Sequence, residues 1–86
     1  MEINLPDVNS FKGKRRVLKG IKDRFKNKFN VSVAELEYHE KRQRTVIGVC
    51  VILNSQKHAY SILERVEGEV EVFKGVSLLD SRKEFL

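Results

Sequence analysis

The sequence contains one cysteine, one proline, one methionine and no tryptophan among its 86 residues. A lone cysteine excludes an internal disulfide, which is typical of proteins in a reducing compartment. No apolar run approaches the ~18 residues that a membrane span requires, and the N-terminus lacks the apolar core of a signal peptide. We therefore expect a cytoplasmic protein that does not insert into membranes.

Length and composition predict one small folded domain over residues 1–86. Hydrophobic residues make up 41% of the chain, which excludes wholesale disorder. Charged residues make up 34%, mainly Lys, Glu and Arg, a balance that favours a thermophilic source because ion-pair networks gain value at high temperature.

Positive charge is concentrated in one short stretch of the chain. Residues 12–28 hold nine Lys or Arg and a single acid, Asp23, a local charge of +8 in a chain whose net charge is +5. Apolar residues at 11, 17, 18, 21, 25 and 29 gather on one arc of a helix. The opposite arc carries six cations, which we call the basic stripe: Lys12, Arg15, Arg16, Lys19, Lys22 and Lys26.

The basic stripe is costly to the helix that bears it. Like charges four residues apart each cost a few tenths of a kcal/mol, and cations in the first turn oppose the helix macrodipole. Stability alone does not favour this arrangement, so we predict that an anionic partner binds there. The alternatives are a solvated face that keeps the protein soluble, and docking of an acidic protein.

Hydrophobic periodicity predicts six elements in the order strand, helix, strand, strand, helix, strand. The first helix begins at Phe11 after the N-cap Ser10, and the second follows the caps Asn54 and Ser55. The predicted strands are residues 2–5, 31–38 and 43–53, and residues 76–86 are predicted to be the last strand or a C-terminal tail. We predict that the second helix extends to a C-cap at Gly75; in the alternative it ends at Gly68, and residues 69–73 form the strand.

This order predicts an α+β fold, the ferredoxin-like βαββαβ sandwich, with a four-stranded antiparallel sheet and both helices on one face. The first and third strands are then central. Residues 45–53 are apolar at both parities, which indicates a strand covered on both faces and places Cys50 in the interior.

No pattern of catalytic or metal-binding residues is visible. His39, His58 and Cys50 lack the spacing of metal ligands, and no glycine-rich loop has the spacing of a phosphate-binding loop. We expect no enzymatic activity, no cofactor and no metal. The third strand has no aromatic residue that could stack on a base, so binding of RNA across the sheet face is not expected.

The basic residues favour contact with the phosphates of RNA. Arg42 and Arg44, at the turn between the second and third strands, join the basic stripe in the predicted contact set. Lys14 completes the set, although it falls on the apolar arc. Its ammonium could extend past that arc into water or point at an anion held at the helix N-terminus.

Four short blocks carry a resemblance to a known family. They are Ser10-Phe11-Lys12, the run from Lys14 to Lys19, the run from Phe29 to Glu35 (FNVSVAE), and Gln43-Arg44. The chain resembles the YlxP-like family of bacterial proteins, a family defined by a domain of unknown function. The resemblance implies a ferredoxin-like fold. Genes of this family often lie beside those for a ribosome-binding factor and a translation initiation factor, which implies a role linked to RNA or the ribosome.

The resemblance implies that four basic residues are functional: Lys14, Arg15, Arg16 and Arg44. Arg42 replaces a family aromatic and Tyr38 a family histidine, so no role is carried over at those two positions. Family members start several residues earlier, which implies that the first strand is truncated at Met1. The expected partner is RNA or a ribosomal subunit. The alternative is a homodimer, formed through the apolar free face of the third strand or an exposed edge of the sheet.

Overall fold

The computed structural model describes residues 1–73 and 75–86. Its four strands form one antiparallel sheet in the order β2-β3-β1-β4, and the expected ferredoxin-like βαββαβ topology is confirmed. The first and third strands are central, as predicted. The elements are β1 (Glu2–Asn4), α1 (Phe11–Lys28), β2 (Ser32–Glu37), β3 (Arg44–Cys50), α2 (Gln56–Val70) and β4 (Ser77–Asp80).

β1 is the shortest strand although it lies in the middle of the sheet. Its Ile3 stands opposite Thr45 of β3 on one side and Leu78 of β4 on the other. The main chains of Met1 and Ile47 extend the β1–β3 ladder by one step. The Ile47 N–H donates to the Met1 carbonyl at 2.8 Å, and the Met1 amino group donates to the Ile47 carbonyl at 2.8 Å.

The core lies between one face of the sheet and the two helices. Buried apolar side chains from the sheet and from both helices form one cluster, each contributing about 1.5–3 kcal/mol on burial. The sheet and the loop after β1 supply Ile3, Leu5 and Ile47, α1 and its C-cap supply Leu18, Ile21, Phe25 and Phe29, and α2 supplies Val66 and Val70.

Within residues 1–73 and 75–86, no helix lies over the other face of the sheet, so the expectation that β3 is covered on both faces was wrong. Register places Glu2, Asn4 and Val46 on this open face. The strand ends at Cys50, and Ile52 beyond it is 93% exposed, so apolar residues at both parities do not indicate cover on both faces. Leu36 lies over Gly48, so closely that a Cβ atom on Gly48 would be 2.7 Å from Leu36 Cδ1. Cys50 is exposed, not interior as predicted.

The end of α2 differs from both predicted versions. The helix passes through Gly68 and ends at Val70, so it neither reaches Gly75 nor leaves residues 69–73 to a strand. The chain turns there because the N–H groups of Val72 and Phe73 donate to carbonyls only three residues back. Gly75 itself has a φ of 78°, a left-handed conformation that glycine adopts without steric cost because it has no Cβ.

Residues 76–86, predicted to be the last strand or a C-terminal tail, contain both, because only Ser77–Asp80 form a strand. β4 has four residues, and the chain from 81 to 86 then lies against α2. Lys83 forms an ion pair with Glu67 and lies over the ring of Tyr60 at 5.2 Å. The rings of Tyr60 and Phe85 have their centroids 6.3 Å apart.

Candidate nucleic-acid interface

The first helix presents the candidate interface, and its N-terminus is well capped. Ser10 adopts an extended conformation, and its side-chain oxygen accepts a hydrogen bond from the Gly13 N–H at 3.0 Å. The last turn closes when the Phe29 N–H donates to the Phe25 carbonyl at 2.8 Å. The helix therefore forms over 18 residues even though its first turn contains no acid.

The apolar arc of α1 is buried, and the opposite arc faces solvent. Leu18, Ile21 and Phe25 enter the core. Of the basic stripe, Lys22 is half-buried and the other five residues are exposed. The helix thus holds these cations in one solvent-facing row along its length, as the periodicity predicted.

Most of the basic stripe has no internal partner. Within residues 1–73 and 75–86, five of its six cations have no carboxylate within ion-pair distance: Lys12, Arg15, Arg16, Lys22 and Lys26. Their positive charge is therefore not neutralised by ion pairs within the fold. This open positive surface is the geometric requirement for contacting an external polyanion.

Lys19 is the paired member of the basic stripe. Its ammonium lies 2.9 Å from the carboxylate of Asp23, one turn later. The hydrogen bond between them raises the pKa of Lys19 and lowers the pKa of Asp23. Both groups are exposed, so solvent screens the pair strongly and Lys19 stays available to a stronger anion.

Lys14 does not face solvent, and this corrects its predicted role. It is only 3% exposed, and its ammonium donates to the carbonyls of Tyr38 and Lys41 at 2.6 and 2.5 Å. The ammonium also lies 3.0 Å from the Glu35 carboxylate. All three of its protons have acceptors inside the protein. Lys14 therefore binds the β2–β3 turn to α1 and is removed from the set of candidate phosphate contacts.

Glu35 completes this internal network. Burial alone would raise the pKa of Glu35, but hydrogen bonds from Lys14 and Thr45 outweigh burial and lower it. The Thr45 hydroxyl donates to the same carboxylate at 2.9 Å. At the adjoining turn Tyr38 adopts a positive φ of 65°, which is uncommon for a bulky residue. Its carbonyl accepts hydrogen bonds from the Lys14 ammonium and from the Lys41 N–H.

The two arginines predicted near the turn lie beside the basic stripe and are partly engaged. Arg42 donates to the Asn9 carbonyl at 3.3 Å, which places it next to the N-terminus of α1. Arg44 pairs with Glu2 at 2.5 Å and lies over the ring of Tyr38. Its Nε is buried, with no hydrogen-bond partner among the described residues.

A polar recess of about 610 Å³ opens at this turn. Three cations and one acid line it, so it extends the positive surface from the helix onto the adjoining edge of the sheet. Its charged lining residues are Glu40, Lys41, Arg42 and Arg44. Lys41, which is not among the predicted contacts, is exposed here.

Two further cations of α1 face inward towards α2, which periodicity did not reveal. Arg24 and Lys28 both bond to the carboxylate of Glu69, at 2.5 and 2.7 Å. Hydrogen bonds from Lys28 and Arg24 lower the pKa of Glu69. The only sequence signal was that both residues fall outside the arc of the basic stripe. Their positive charge pairs with Glu69 across the contact between α1 and α2.

Two further classes of site were sought in the described part of the chain. No helix there is long and apolar enough to cross a membrane. Residues 1–73 and 75–86 also contain no group of three His, Cys, Asp or Glu side chains placed to hold a metal ion.

Comparison with known proteins places the chain in a family. A family model described as "Protein of unknown function (DUF503)" matches residues 1–83. The chain is 37% identical over 79 residues to the uncharacterized protein YlxP of Bacillus subtilis (strain 168), a match that covers 92% of this chain and 86% of that protein. No solved structure matches the chain. The chain therefore belongs to the DUF503 family of proteins of unknown function.

Proposed function

We propose that this protein is a non-enzymatic RNA-binding module that contacts phosphates through the basic stripe. The observation that carries the proposal is the row of five cations on α1 that pair with no carboxylate of residues 1–73 and 75–86. Four of them are exposed and Lys22 is half-buried. Arg42 and Lys41 lie beside the first turn of the helix and lengthen the positive surface. A rigid row of cations suits the phosphate backbone, which repeats its charge along the strand.

Contacts of this kind supply affinity with little base specificity, because phosphates carry no sequence information. If the five unpaired cations each neutralise one phosphate of a single strand, the slope of log K against log salt is about −3.5. The open face of the sheet takes no part, since its central strands carry no aromatic platform for bases. We expect weak preference among RNA sequences, and a location in the cytoplasm where RNA is available.

The test compares two charge-reversed variants of equal net charge. Arg15→Glu/Arg16→Glu changes two exposed cations of the basic stripe, and Lys57→Glu/Arg82→Glu changes two exposed cations elsewhere on the molecule. Binding to a labelled single-stranded RNA is followed by fluorescence anisotropy from low to high salt. We expect the first variant to lose about tenfold or more in affinity and to show a shallower salt slope, and the second to change little.

Two controls separate RNA from other polyanions. Co-sedimentation with ribosomal subunits tests whether ribosomal RNA in its assembled form is bound by the same residues. Competition with polyglutamate tests the alternative of an acidic protein partner, because a polypeptide that competes as well as RNA favours that alternative. No binding of RNA at low salt, or a flat salt dependence, would exclude the proposed function.

A further inference from the structure

The polar recess at the β2–β3 turn has no apolar floor. The seven described residues that line it are all polar or charged, and Tyr38 is the one aromatic residue among them. Its volume of about 610 Å³ lies within the ~300–1,000 Å³ that is usual for ligand sites, but such sites are mostly lined by hydrophobic side chains. The polar recess therefore suits a small hydrophilic ligand rather than an apolar one.

The charge of the lining selects an anion. Three cations line the polar recess against a single acid, Glu40. Within residues 1–73 and 75–86, neither Lys41 nor Arg42 forms an ion pair. Arg44 is paired with Glu2, but only its Nη1 is bonded there, and its other N–H groups have no partner in this part of the chain. An anion in the polar recess would therefore meet cationic donors that the fold leaves free.

The walls of the polar recess are fixed from inside the protein. The buried Lys14 ammonium bonds to the carbonyls of Tyr38 and Lys41, and the Lys41 N–H closes the turn onto the Tyr38 carbonyl. Arg42 bonds to the loop before α1, and Arg44 lies over the Tyr38 ring at 5.9 Å. A preformed site of this kind loses less conformational freedom when a ligand binds.

The polar recess adjoins one end of the basic stripe. Arg42 donates to the carbonyl of Asn9, which directly precedes the N-cap of α1, and the basic stripe starts at Lys12 in the first turn. The N-terminus of α1 adds positive potential here, because its first N–H groups have no partner within the helix. A nucleic-acid strand that lies along the basic stripe therefore brings one of its ends to the polar recess.

A terminal phosphate of RNA differs in charge from an internal one. A phosphate monoester carries about −1.5 to −2 at pH 7 and presents three strong acceptor oxygens, whereas each phosphate within the strand carries a single negative charge. Guanidinium groups match phosphate oxygens with paired hydrogen bonds. A recess that combines two arginines with a lysine therefore favours the monoester over the internal phosphate.

We propose that the polar recess binds a terminal phosphate monoester of the RNA strand that lies along the basic stripe. This inference rests on the proposed function and adds a class of substrate, namely strands with a phosphorylated end. Lys41, Arg42 and Arg44 supply the contacts. A 5′-phosphate and a 3′-phosphate share this chemistry, and the experiment distinguishes them. A phosphorylated protein carries the same group, but the row of cations that continues from the polar recess favours a polyanion.

The test compares one internally labelled single-stranded RNA in three forms: with a 5′-phosphate, with a 3′-phosphate and with hydroxyls at both ends. Fluorescence anisotropy at one salt concentration gives the affinities, and we expect at least one phosphorylated form to bind about tenfold tighter than the hydroxyl form. Lys41→Gln/Arg42→Gln should bring this ratio to within about twofold of unity. Lys22→Gln/Lys26→Gln removes equal charge at the far end of the basic stripe, and should weaken all three forms while keeping the ratio.

A short ligand separates this proposal from RNA binding itself. Adenosine 5′-monophosphate and adenosine 3′-monophosphate are too short to follow the basic stripe, and at least one should shift the amides of residues 38–44 saturably in ¹⁵N–¹H spectra. Adenosine should not. If no RNA binds while a monophosphate still shifts these amides, the proposed function fails and the phosphate site stands.

Three results would overturn the assignment of the polar recess. The first is binding of hydroxyl-ended RNA through the basic stripe with less than about threefold gain from either terminal phosphate, which leaves the proposed function intact. The second is an unchanged ratio in Lys41→Gln/Arg42→Gln. The third is a phosphoserine peptide that binds as tightly as the phosphorylated RNA, which would assign the polar recess to a phosphorylated protein.

Discussion

Replacement of the buried Lys14 is the sharpest test of how this fold is held together. Lys14→Met keeps the length and the apolar stem of the side chain and removes the ammonium. Three acceptors then lose their donor: the carbonyls of Tyr38 and Lys41, at 2.6 and 2.5 Å, and the Glu35 carboxylate at 3.0 Å. Removing one partner of a buried ion pair costs about 3–5 kcal/mol, because the other charge is left buried and unpaired.

The lower end of that range applies here, because Glu35 keeps its bond from Thr45 and is 17% exposed. We expect the free energy of unfolding to fall by about 3 kcal/mol. For a domain of this size the loss lowers Tm by roughly 12–24 °C. Lys12→Met makes the same chemical change at an exposed position two residues earlier, and should alter stability by no more than about 0.5 kcal/mol.

Urea unfolding at pH 7, followed by circular dichroism, measures both variants. The pH dependence gives a second readout. The pKa of Glu35 in the folded protein is lowered from its ordinary value of 4.5. The ionised Glu35 therefore adds to the free energy of unfolding above that pH, and this stabilisation is lost as the pH falls through the folded pKa. The difference between wild type and Lys14→Met should therefore shrink in acid. A difference below about 0.5 kcal/mol at pH 7 would refute the structural role of Lys14.

Two further predictions concern the glycines and the cysteine. Gly75→Ala should destabilise the protein by about 1–2 kcal/mol, because φ at Gly75 is 78° and the new Cβ would lie 2.6 Å from Asp7 Oδ2. Gly68→Ala should stabilise α2 by up to about 1 kcal/mol, because no atom lies within 4 Å of the new Cβ. Urea unfolding measures both variants. Cys50 is exposed, so a thiol reagent should modify it in the folded protein, without prior unfolding. Protection of Cys50 until the protein unfolds would contradict its placement at the end of β3.

Local patterns predicted the fold well because each element depends on neighbours a few residues apart. The apolar spacing of α1 and the Ser10 cap located the helix start at Phe11, and strand alternation located β2 to within a residue. The end of α2 was predicted less well. Phe73 continues the apolar spacing beyond Val70, but the chain turns back there to reach β4. Periodicity carries no information about where a helix must leave the core.

The candidate interface was predicted in part. Charge and periodicity identified the exposed row on α1, since side-chain direction on a helix follows from position alone. They placed Lys14 on the apolar arc but could not identify its acceptors, because these lie on the β2–β3 turn, 24 and 27 residues away. They also could not show that Arg24 is neutralised by Glu69, which is 45 residues away.

The sequence by itself determined the order of elements, the topology and a helix with one cationic face, because these follow from local spacing and from the few ways that such elements pack. Tertiary structure alone decided which cations are free and which are used within the fold. These roles depend on groups brought together from distant parts of the chain, whose approach no local pattern encodes.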